Sequence, residues 1–508
     1  MPELLETLIA HNISKRESHR SQQAASSHTQ SGGAGRRGEA QRELLLSLNA
    51  GSSSLKFKAF DRAKLAGAGR VASALVVAGS IKIKDDKAVL RVGNDDPEEL
   101  PSTDLTNVET LHGLLDRIAA HGRITHVVHR IVHGASLPQC ISLTRADASA
   151  LDTLTFLSSF APLHNAVSVS IIRTLLSPST TTRLDEAAVH LCCFDTTFHH
   201  AMPPSSYRYL VDPQLAGKHL PGGMEMRKWG FHGISYSSIL DSLSRHLGPS
   251  LGCRSRSRDE ISVIICHLGS GSSICAVQRG KSLDTTMGLT PLEGLPGGTR
   301  SGSVDPVLAL HISRAALSSS SASTASDGAK GQDPFSSVDL GQGIKVSQAE
   351  LVLNKHSGFK AICGTSDFQQ VVERRNQGDD DATVCFDVFV DKIVQTLGGY
   401  YFKMASTGVD SVVFSGGIGE ASGDLHRELA RRLESTPLHV AADADGATTN
   451  AERQDDDEGE VVRLDRRRLD LPADVEVNGK RAGGVPWLVV KTDEESEMAR
   501  EVKSYMSW

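Results

Sequence analysis

The chain has 508 residues, of which 39% are hydrophobic and 23% charged, as in an ordinary globular protein large enough for several domains. Its formal net charge of -7 provides no concentrated basic excess of the kind that binds nucleic acid or an anionic membrane surface, so we expect neither partner. No run approaches the ~18 apolar residues of a membrane-spanning helix.

Residues 1–42 are polar and rich in Ser, Gln, Gly and Arg, and this composition predicts a disordered N-terminal extension. The opening MPELLETLIA is acidic and lacks the charged-then-apolar layout of a secretory signal. The Arg and Ser content also fits an organellar transit peptide, which the glutamates disfavour. The eight cysteines show no CxxC pair and no zinc-ligand spacing, and several lie in apolar runs. We therefore expect a protein of a reducing compartment, the cytoplasm.

Residues 44–60 predict a strand, a turn and a second strand. Apolar residues alternate on both sides of a Gly-Ser bend, at Leu44, Leu46 and Leu48 and again at Leu55, Phe57 and Ala59. The bend, LNAGSSSLK, suits an ordinary surface hairpin or a loop that holds phosphate, and the stretch alone does not decide between them.

Residues 262–279 repeat this pattern, because an apolar run again meets a Gly-Ser bend and a second short strand. A shift of 220 positions superposes Leu48 on Leu268, Gly51 on Gly271, Ser52 on Ser272 and Ser53 on Ser273. The repeat predicts a duplicated α/β architecture.

The stretch SVVFSGGIGEAS at 411–422 predicts a strand, a glycine turn and a helix start, an arrangement whose free backbone N–H groups bind anions. Upstream of it, a core-facing helix is predicted by apolar residues at helical spacing: Phe386, Phe389, Ile393, Leu397 and Tyr400. Residues 315–337 and 441–483 are rich in Ser or in charge, and we expect them to be loop insertions that pack no core.

Standard nucleotide and metal signatures are missing from the sequence. There is no GxxxxGK[ST] motif and no HExxH motif, and GSGSSI at 269–274 lacks the third glycine of a dinucleotide fingerprint. His199 and His200 follow Cys192 and Cys193 without a recognisable ligand spacing. A core or hydrogen-bonded role is therefore favoured for them over a metal site.

Polar residues in apolar surroundings are the remaining site candidates. Arg130 lies in a β-branched run and needs an anion, which is either a ligand or a structural carboxylate. Asp195 closes an apolar strand, where it suits a site residue or a helix N-cap. His164 follows a proline turn, and His232 suits a site or a satisfied buried histidine. Arg300 is flanked by glycines and small hydroxyl residues that allow a ligand to approach the backbone.

These residues lie in motifs that resemble the acetate kinases, the acetokinase family of the sugar kinase, heat-shock protein and actin superfamily, in a eukaryotic, fungal-like form. The motifs are, in order, NAGSSSLK, HRIVHG, APLHN, FDTTFH, GFHG, HLGSG, DTTMGLTPLEGLPGGTRSG, LNKHSGF, GTSDF, SGGIGE and TDEE. They cover nearly all of 44–508 apart from the two insertions, and the block at 284–302 is the most specific.

The resemblance implies an α/β fold of two duplicated actin-like, ribonuclease H-like domains with an active-site cleft between them. Domain I is expected at 43–196, completed by a C-terminal helix at about 490–508, and the nucleotide-binding domain II at 197–489. The family also leads us to expect a homodimer.

The implied reaction is reversible, Mg²⁺-dependent transfer of the ATP γ-phosphoryl group to acetate, which yields acetyl phosphate and ADP. By resemblance, Arg130 and Arg300 hold the carboxylate and the phosphoryl group, His232 and Arg300 stabilise the transition state, and Asp195 is the essential carboxylate. Asn49 and Glu494 position Mg²⁺. The acceptor is already ionised near neutral pH, since a carboxyl group has a reference pKa of about 4, so no base is needed to activate it.

The resemblance also implies two sets of binding residues. An apolar acetate pocket is matched by Val132, Leu163, Phe231 and Pro291, with His164 lining the same site. The ATP site is matched by Lys56, His267, Leu268, Gly269, Ser270, Gly271, Asp367, Phe368, Gln369, Gly417, Ile418, Gly419, Glu420 and Ala421.

Departures from the bacterial pattern cluster on the nucleotide side, where Ser270, Gln369 and Ala421 stand in place of Asn, Arg and Asn. Elsewhere Ala135 replaces a Gly and Ala166 a Pro, and the acetate-side residues are intact. Three alternatives therefore stay open: pyrophosphate as the donor, propionate or butyrate as the acceptor, and an inactive nucleotide-binding member with a regulatory role.

Overall fold

A computed structural model describes residues 41–508 except 52–53, 68, 85–86, 138–139, 159, 181–182, 213, 215–224, 247–256, 313–336, 340–344, 442–460, 465–468 and 470–483. Residues 1–40 of the predicted extension and most of the two predicted insertions lie outside the described residues. The described residues form two compact units. The first comprises those of Met1–Thr197, Val211–Met226 and Asp493–Trp508, and the second those of Phe198–Leu210 and Arg227–Thr492. No helix in these ranges is long and apolar enough to cross a membrane.

Sixteen strands and thirteen α-helices have described bounds, and residues 306–312 are helical as well. The strands are β1 (Glu43–Ala50), β2 (Ser54–Asp61), β3 (Leu75–Lys84), β4 (Lys87–Val92), β5 (Glu98–Leu100), β6 (Arg123–Ile131), β7 (Ile141–Leu143), β8 (Leu184–Phe194), β9 (Val263–His267), β10 (Ser273–Gln278), β11 (Lys281–Thr285), β12 (Ser337–Asp339), β13 (Lys345–Ser347), β14 (Ser411–Ser415), β15 (Val461–Leu464) and β16 (Trp487–Val490). The helices are α1 (Arg62–Ala66), α2 (Val108–Ala119), α3 (Ala150–Leu157), α4 (Pro162–Leu176), α5 (Pro204–Tyr207), α6 (Gly233–His246), α7 (Gln348–Lys355), α8 (Gly358–Cys363), α9 (Phe368–Asn376), α10 (Asp380–Lys403), α11 (Gly416–Ala421), α12 (Gly423–Leu433) and α13 (Glu494–Met506).

The first unit is built on an eight-stranded sheet with the spatial order β5-β4-β3-β2-β1-β6-β8-β7. β1, β6 and β8 run parallel to one another, whereas β2 and β7 are antiparallel to their neighbours. β1 is buried on both faces, so that Leu45 and Ser47 are buried as well as the alternating leucines Leu44 and Leu46. Such two-sided burial is typical of parallel strands that are covered by helices.

The C-terminal helix α13 belongs to the first unit and packs on β1 and β6. It begins at Glu494 because the Asp493 side chain accepts a hydrogen bond from the Ser496 N–H at 3.0 Å, which caps the helix. Three glutamates in the first turn complement the positive end of the helix dipole. The cap therefore fixes the position of Glu494 relative to the sheet.

The second unit contains a six-stranded sheet with the order β11-β10-β9-β14-β16-β15, and β12 pairs with β13 separately. β9, β14 and β16 are parallel, and β10, β11 and β15 are antiparallel to their neighbours. This order and these directions repeat the arrangement β3-β2-β1-β6-β8-β7 of the first unit. The predicted duplicated α/β architecture is thus confirmed.

The local predictions from apolar patterning are also confirmed. β1 and β2 form the predicted hairpin at 44–60, β9 and β10 its repeat at 262–279, and β14 with α11 the strand–glycine–helix unit at 411–422. The predicted core-facing residues of α10 are all buried: Phe386, Phe389, Ile393, Leu397 and Tyr400. Ser52 and Ser53 of the first bend lie outside the described residues.

The prediction of loop throughout 441–483 is wrong for Val461–Leu464. These residues form β15, which pairs with β16, and Leu464 and Leu469 are buried in the core of the second unit. The strand has only four residues and is surrounded by charged residues, so its apolar pattern is too short to stand out in the sequence.

Candidate functional site

The parallel strands of the first unit bring three predicted site residues together. Asn49 lies at the end of β1, Arg130 at the end of β6, and Asp195 directly after β8. Because the carboxyl ends of parallel strands share one edge of a sheet, side chains from these positions converge, and ligands commonly bind at such edges. Glu494, from the first turn of α13, joins them at this edge.

Arg130 is the centre of this cluster. Its Nη2 lies 2.8 Å from Asp195 Oδ2, and its Nη1 donates to Glu494 Oε2 at 2.8 Å and to Asn49 Oδ1 at 3.2 Å. Asp195 is fully buried. Burial by itself would lower the pKa of Arg130, but Asp195 and Glu494 outweigh it and raise that pKa. The guanidinium therefore stays charged and is held in one orientation.

The oxygen donors around Asn49 suit a divalent cation. The Asn49 amide nitrogen donates to Glu494 Oε2 at 2.6 Å and to Glu495 Oε1 at 2.8 Å. Glu495 is also buried, and burial, followed by the charge of Glu494, raises the pKa of its carboxyl group. Two adjacent carboxylates and an amide oxygen are hard ligands of the kind that Mg²⁺ prefers, usually together with phosphate oxygens of a substrate.

Lys56 lies on the same face of the sheet as Asn49. The two residues are direct partners in the antiparallel register of β1 and β2, and directly opposite side chains in such a pair point to the same side. Lys56 is exposed, whereas its neighbour Lys58 is tied to Asp493 at 2.6 Å. On β2, Lys58 is therefore held by an ion pair, whereas Lys56 faces solvent.

His232 in the second unit has an unusual backbone. It is a non-glycine residue with a φ of 58°, immediately before α6. Its Nδ1 lies 2.8 Å from Ser273 Oγ, which also contacts the Tyr236 hydroxyl, and its ring lies 4.6 Å from that of His267. Such strained conformations persist where the surroundings enforce them and are frequent at functional sites.

Arg300 lies next to Gly271 in the same unit. A Cβ atom at Gly271 would lie 3.2 Å from Arg300 Nη1 and 3.9 Å from His232 Cε1, so this glycine borders both side chains. Burial lowers the pKa of Arg300. Lys355 is a second cationic residue near Arg300. Burial, followed by the charge of Arg300, lowers the pKa of Lys355.

The backbone around Arg300 is held by the segment that follows α7. Gly358 has a φ of 68°, and a Cβ atom there would lie 2.1 Å from the Gly297 oxygen and 2.8 Å from the Arg300 nitrogen. Only glycine fits this close approach. The motif LNKHSGF thus supports the loop that carries Arg300.

The predicted nucleotide segments line one cavity of about 580 Å³ in the second unit. Its lining includes eight of the predicted ATP-site residues, namely Gly269, Ser270, Asp367, Phe368, Gln369, Gly417, Ile418 and Ala421. The two glycine loops pack on each other because the N–H groups of Ile418 and Gly419 donate to the Leu268 carbonyl at 2.9 and 3.1 Å. The volume lies within the range of about 300–1,000 Å³ that is common for small-molecule sites.

The other predicted ATP-site residues lie outside this lining. Glu420 Oε1 accepts from the Gly416 N–H at 3.0 Å at the start of α11, and His267 ends β9. Phe368 lines the cavity but is only 4% exposed and packs against Phe359 and Phe389. Lys56 belongs to the first unit.

The residues predicted for the acetate pocket fall in both units. Val132 is half-buried in the first unit, and Leu163 and His164 lie in α4, where their side chains are outside the described set. In the second unit Phe231 is buried and Pro291 half-buried. His199, favoured as a hydrogen-bonded core residue, is buried with its ring nitrogens 2.8 Å from Ser282 Oγ and 2.9 Å from the Phe231 oxygen.

Sequence reasoning missed Glu495, Lys355 and the pair Ser273 and Tyr236. Glu495 stands beside Glu494 in TDEE, and Lys355 lies in LNKHSGF, so both motifs carried a signal. The contact of Ser273 with His232 joins a strand to a distant loop, and no local pattern marks it.

Comparison with known proteins identifies the same family as the sequence motifs. The model of the Acetokinase family matches residues 44–326 and 335–463. A "Probable acetate kinase" of Cryptococcus neoformans is 33% identical over 486 residues, 91% of this chain and 98% of the relative. One of Neurospora crassa is 34% identical over 485 residues, 90% of this chain and 93% of the relative.

Among solved structures, a propionate kinase from Francisella tularensis covers 90% of this chain and 98% of its own, with a TM-score of 0.63 and 24% identity. This likeness supports the two-domain actin-like α/β fold. The family model and the fungal relatives each span most of the chain, as the motifs predicted. The chain therefore belongs to the acetokinase family, the carboxyl-group phosphotransferases of the acetate kinase type.

Proposed function

We propose that this protein is a Mg²⁺-dependent acetate kinase that reversibly transfers the γ-phosphoryl group of ATP to acetate. The observation that carries the proposal is that the separate glycine loops and the Asp367–Gln369 segment line one nucleoside-sized cavity. Pyrophosphate has no nucleoside and would leave this cavity without a role. The cavity therefore favours ATP as donor despite the departures at Ser270, Gln369 and Ala421.

Phosphoryl transfer depends on positioning and on cations that meet the charge of the transferring group. In this proposal Arg130 binds the acetate carboxylate with a guanidinium that Asp195 and Glu494 orient. Arg300 and His232 bind the phosphoryl oxygens, and Lys56 binds donor phosphates. Asp195 takes no proton, because the acceptor is already ionised.

Asn49 and Glu494 would hold Mg²⁺, with Glu495 as a neighbouring carboxylate. When bound, Mg²⁺ supplies charge neutralisation at the phosphate oxygens. The apolar residues Val132, Leu163, Phe231 and Pro291 would contact the acetate methyl group, with His164 beside them.

The test is a hydroxamate assay with purified protein, acetate, Mg²⁺, hydroxylamine and either ATP or pyrophosphate. We expect hydroxamate with ATP and background with pyrophosphate, and higher kcat/KM for acetate than for propionate or butyrate. Product with pyrophosphate alone would establish the other donor, and no product with either would leave an inactive, nucleotide-binding member.

Arg130→Lys tests the residue assignment in the same assay. Lysine keeps the charge but loses the fork that binds a carboxylate, so we expect kcat/KM for acetate to fall by about 10²–10³-fold, the size of a lost transition-state donor. Arg123→Lys is the matched control, because Arg123 begins the same strand and its side chain is 51% exposed. Equal activity of the two variants would contradict the assignment.

We propose further that the protein works as a homodimer in the cytoplasm. Exposed apolar side chains, Val304, Val307, Leu308 and Leu310, cluster in and next to the helical residues 306–312 and support a contact between copies. None of the seven described cysteines forms a disulfide, which suits a reducing compartment. Light scattering after gel filtration should give a dimer for the wild type and a monomer for Leu310→Glu.

A further inference from the structure

Two buried thiols and a carboxylate meet in the first unit, apart from the residues used above. Cys140 directly precedes β7, Cys193 lies on β8 and Glu501 on α13. The two sulfur atoms are 2.8 Å apart, and Cys140 Sγ lies 3.9 Å from Glu501 Oε2. Of all groups of three or more His, Cys, Asp or Glu residues in the described ranges, this is the one whose ligand atoms lie within 4.8 Å of one another.

Regular structure brings the three residues together from distant parts of the chain. The antiparallel register pairs Ile141 of β7 with Cys192 of β8, so Cys140 is next to Cys193. Along α13, Glu501 follows Glu494 by two helical turns and therefore lies on the same face of the helix. Glu494 binds Arg130, and Arg130 is the register partner of Cys193 in the β6–β8 pair. The helix thus contacts the ends of these two strands through both glutamates.

We propose that Cys140, Cys193 and Glu501 form a structural binding site for Zn²⁺, with a water molecule as the fourth ligand. Zn²⁺ takes thiolate, imidazole and carboxylate ligands in tetrahedral geometry, with Zn–S near 2.3 Å and Zn–O of about 2.0–2.2 Å. Glu501 is half-buried, so water can reach its side of the site, whereas the two cysteines are buried.

Binding requires a small change in the thiols. Bond lengths of about 2.3 Å in a tetrahedron place the sulfurs roughly 3.7 Å apart, so side-chain rotation must separate them by about 1 Å. Each thiol releases its proton to solvent as its sulfur binds the ion, and the carboxylate binds without change of protonation. Two protons therefore leave for each Zn²⁺ bound.

A disulfide is the competing outcome for two adjacent thiols. A disulfide would make no use of Glu501, whereas a cation uses all three groups.

The site would connect α13 to β8 and so position two residues of the proposed active site. Glu494 lies on α13, and Asp195 follows Cys193 by two residues. A cation at this position would therefore stabilise the first unit without contacting the substrates.

The test uses the full-length protein, purified with a reductant that does not bind metal and dialysed against Zn²⁺ and then against metal-free buffer. Elemental analysis should find about one Zn²⁺ per chain, with a mercurial reagent that blocks thiols releasing it. Co²⁺ in place of Zn²⁺ should give a thiolate-to-metal charge-transfer band. That band separates this site from Mg²⁺ ligands that contain only oxygen.

Variants identify the ligands. Cys193→Ser and Cys140→Ser should lose the bound Zn²⁺ and the Co²⁺ band, and Glu501→Gln should weaken binding at least tenfold while the protein stays folded. Cys266→Ser is the matched control, because Cys266 is an equally buried cysteine of the second unit outside this group. A wild-type protein without retained Zn²⁺ or the Co²⁺ band overturns the proposal. A Cys140–Cys193 disulfide found by peptide mapping of the protein as isolated overturns it as well.

Discussion

Arg130 and Asp195 form an ion pair at the ends of two neighbouring parallel strands, with 2.8 Å between Nη2 and Oδ2. Asp195 is completely buried, so its charge depends on this partner. The pair fixes the plane and direction of the guanidinium group. In the proposed function, binding of the substrate carboxylate would therefore not have to order this side chain. We therefore propose that Asp195 acts as a positioning residue for Arg130.

Asp195→Asn should therefore reduce catalysis more than binding of ATP. The amide keeps the shape but not the charge, and we expect kcat to fall by about 10²-fold, within the range seen when a preorganised electrostatic contact is lost. Steady-state kinetics with acetate and ATP varied separately will measure it. Asp185→Asn is the control, because Asp185 lies on β8, the strand that precedes Asp195, in an ion pair with the 51%-exposed Arg123. Retention of more than half of the wild-type kcat by Asp195→Asn would contradict the positioning role.

The hairpin of β1 and β2 yields a prediction about donor binding. Lys56 is exposed and faces the same side as Asn49. Its truncation in Lys56→Ala removes no buried contact, so the melting temperature should stay within about 1–2 °C, as for an ordinary surface change. The KM for ATP should rise about tenfold or more, because a lost charge-assisted contact to phosphate is worth roughly 1.5–3 kcal/mol.

Lys58→Ala is the matched comparison on the same strand. Lys58 binds Asp493, the residue that caps α13, so its loss should lower the melting temperature more than that of Lys56. Thermal unfolding and ATP kinetics on both variants separate the two roles. If Lys56→Ala lost activity and melting temperature in equal measure, the stretch would be only a structural turn.

Features that depend on local pattern could be predicted from the sequence. The alternating leucines of β1, the Gly-Ser bends and the apolar spacing of α10 each act within a few residues, and each reappears in the structure. Arg130 was marked in the same way, because a guanidinium in a β-branched strand has to find an anion.

Contacts between distant segments could not be predicted from local pattern. Cys140 and Cys193 are separated by 53 residues and Cys140 and Glu501 by 361, so their meeting follows from strand order and helix packing. The link from His232 to Ser273 has the same origin. β15 escaped notice for another reason, since its four residues are held mainly by pairing with β16.

Ala135 offers a test of backbone strain. Its φ is 49°, in the left-handed region, where a non-glycine residue costs about 1–2 kcal/mol. Ala135→Gly removes this cost but adds about 0.4–1 kcal/mol of unfolded-state entropy, so we expect a net stabilisation of about 0.5–1 kcal/mol. Urea unfolding will measure it. Ala119→Gly in the last turn of α2 is the control and should destabilise by up to about 1 kcal/mol. If Ala135→Gly destabilised the protein as Ala119→Gly does, the backbone at Ala135 would not be strained.

His426 makes stability depend on pH in a defined window. It is buried on α12, with its Nε2 2.9 Å from the Gly419 oxygen, and burial lowers its pKa from 6.5 to about 4. Between these values the unfolded chain binds a proton that the folded chain does not, so stability rises with pH there. Above pH 6.5 the contribution of His426 is constant, and below pH 4 its loss is complete.

Urea unfolding at intervals between pH 7 and pH 4.5 should show such a slope. His426 contributes at most about 1.4 kcal/mol per pH unit to it, because burial also lowers the pKa values of His129, His190 and His199. His426→Gln should lower stability at pH 7 and make the slope smaller, because glutamine binds no proton in either state and only the other buried histidines still contribute. Leu429→Ala is the control, since it removes a buried side chain from the same helix without changing proton binding. It should lower stability by about 2–5 kcal/mol at every pH and leave the slope as in the wild type. If the free energy of unfolding depended on pH equally in the wild type and in His426→Gln, His426 would not be a source of the pH dependence.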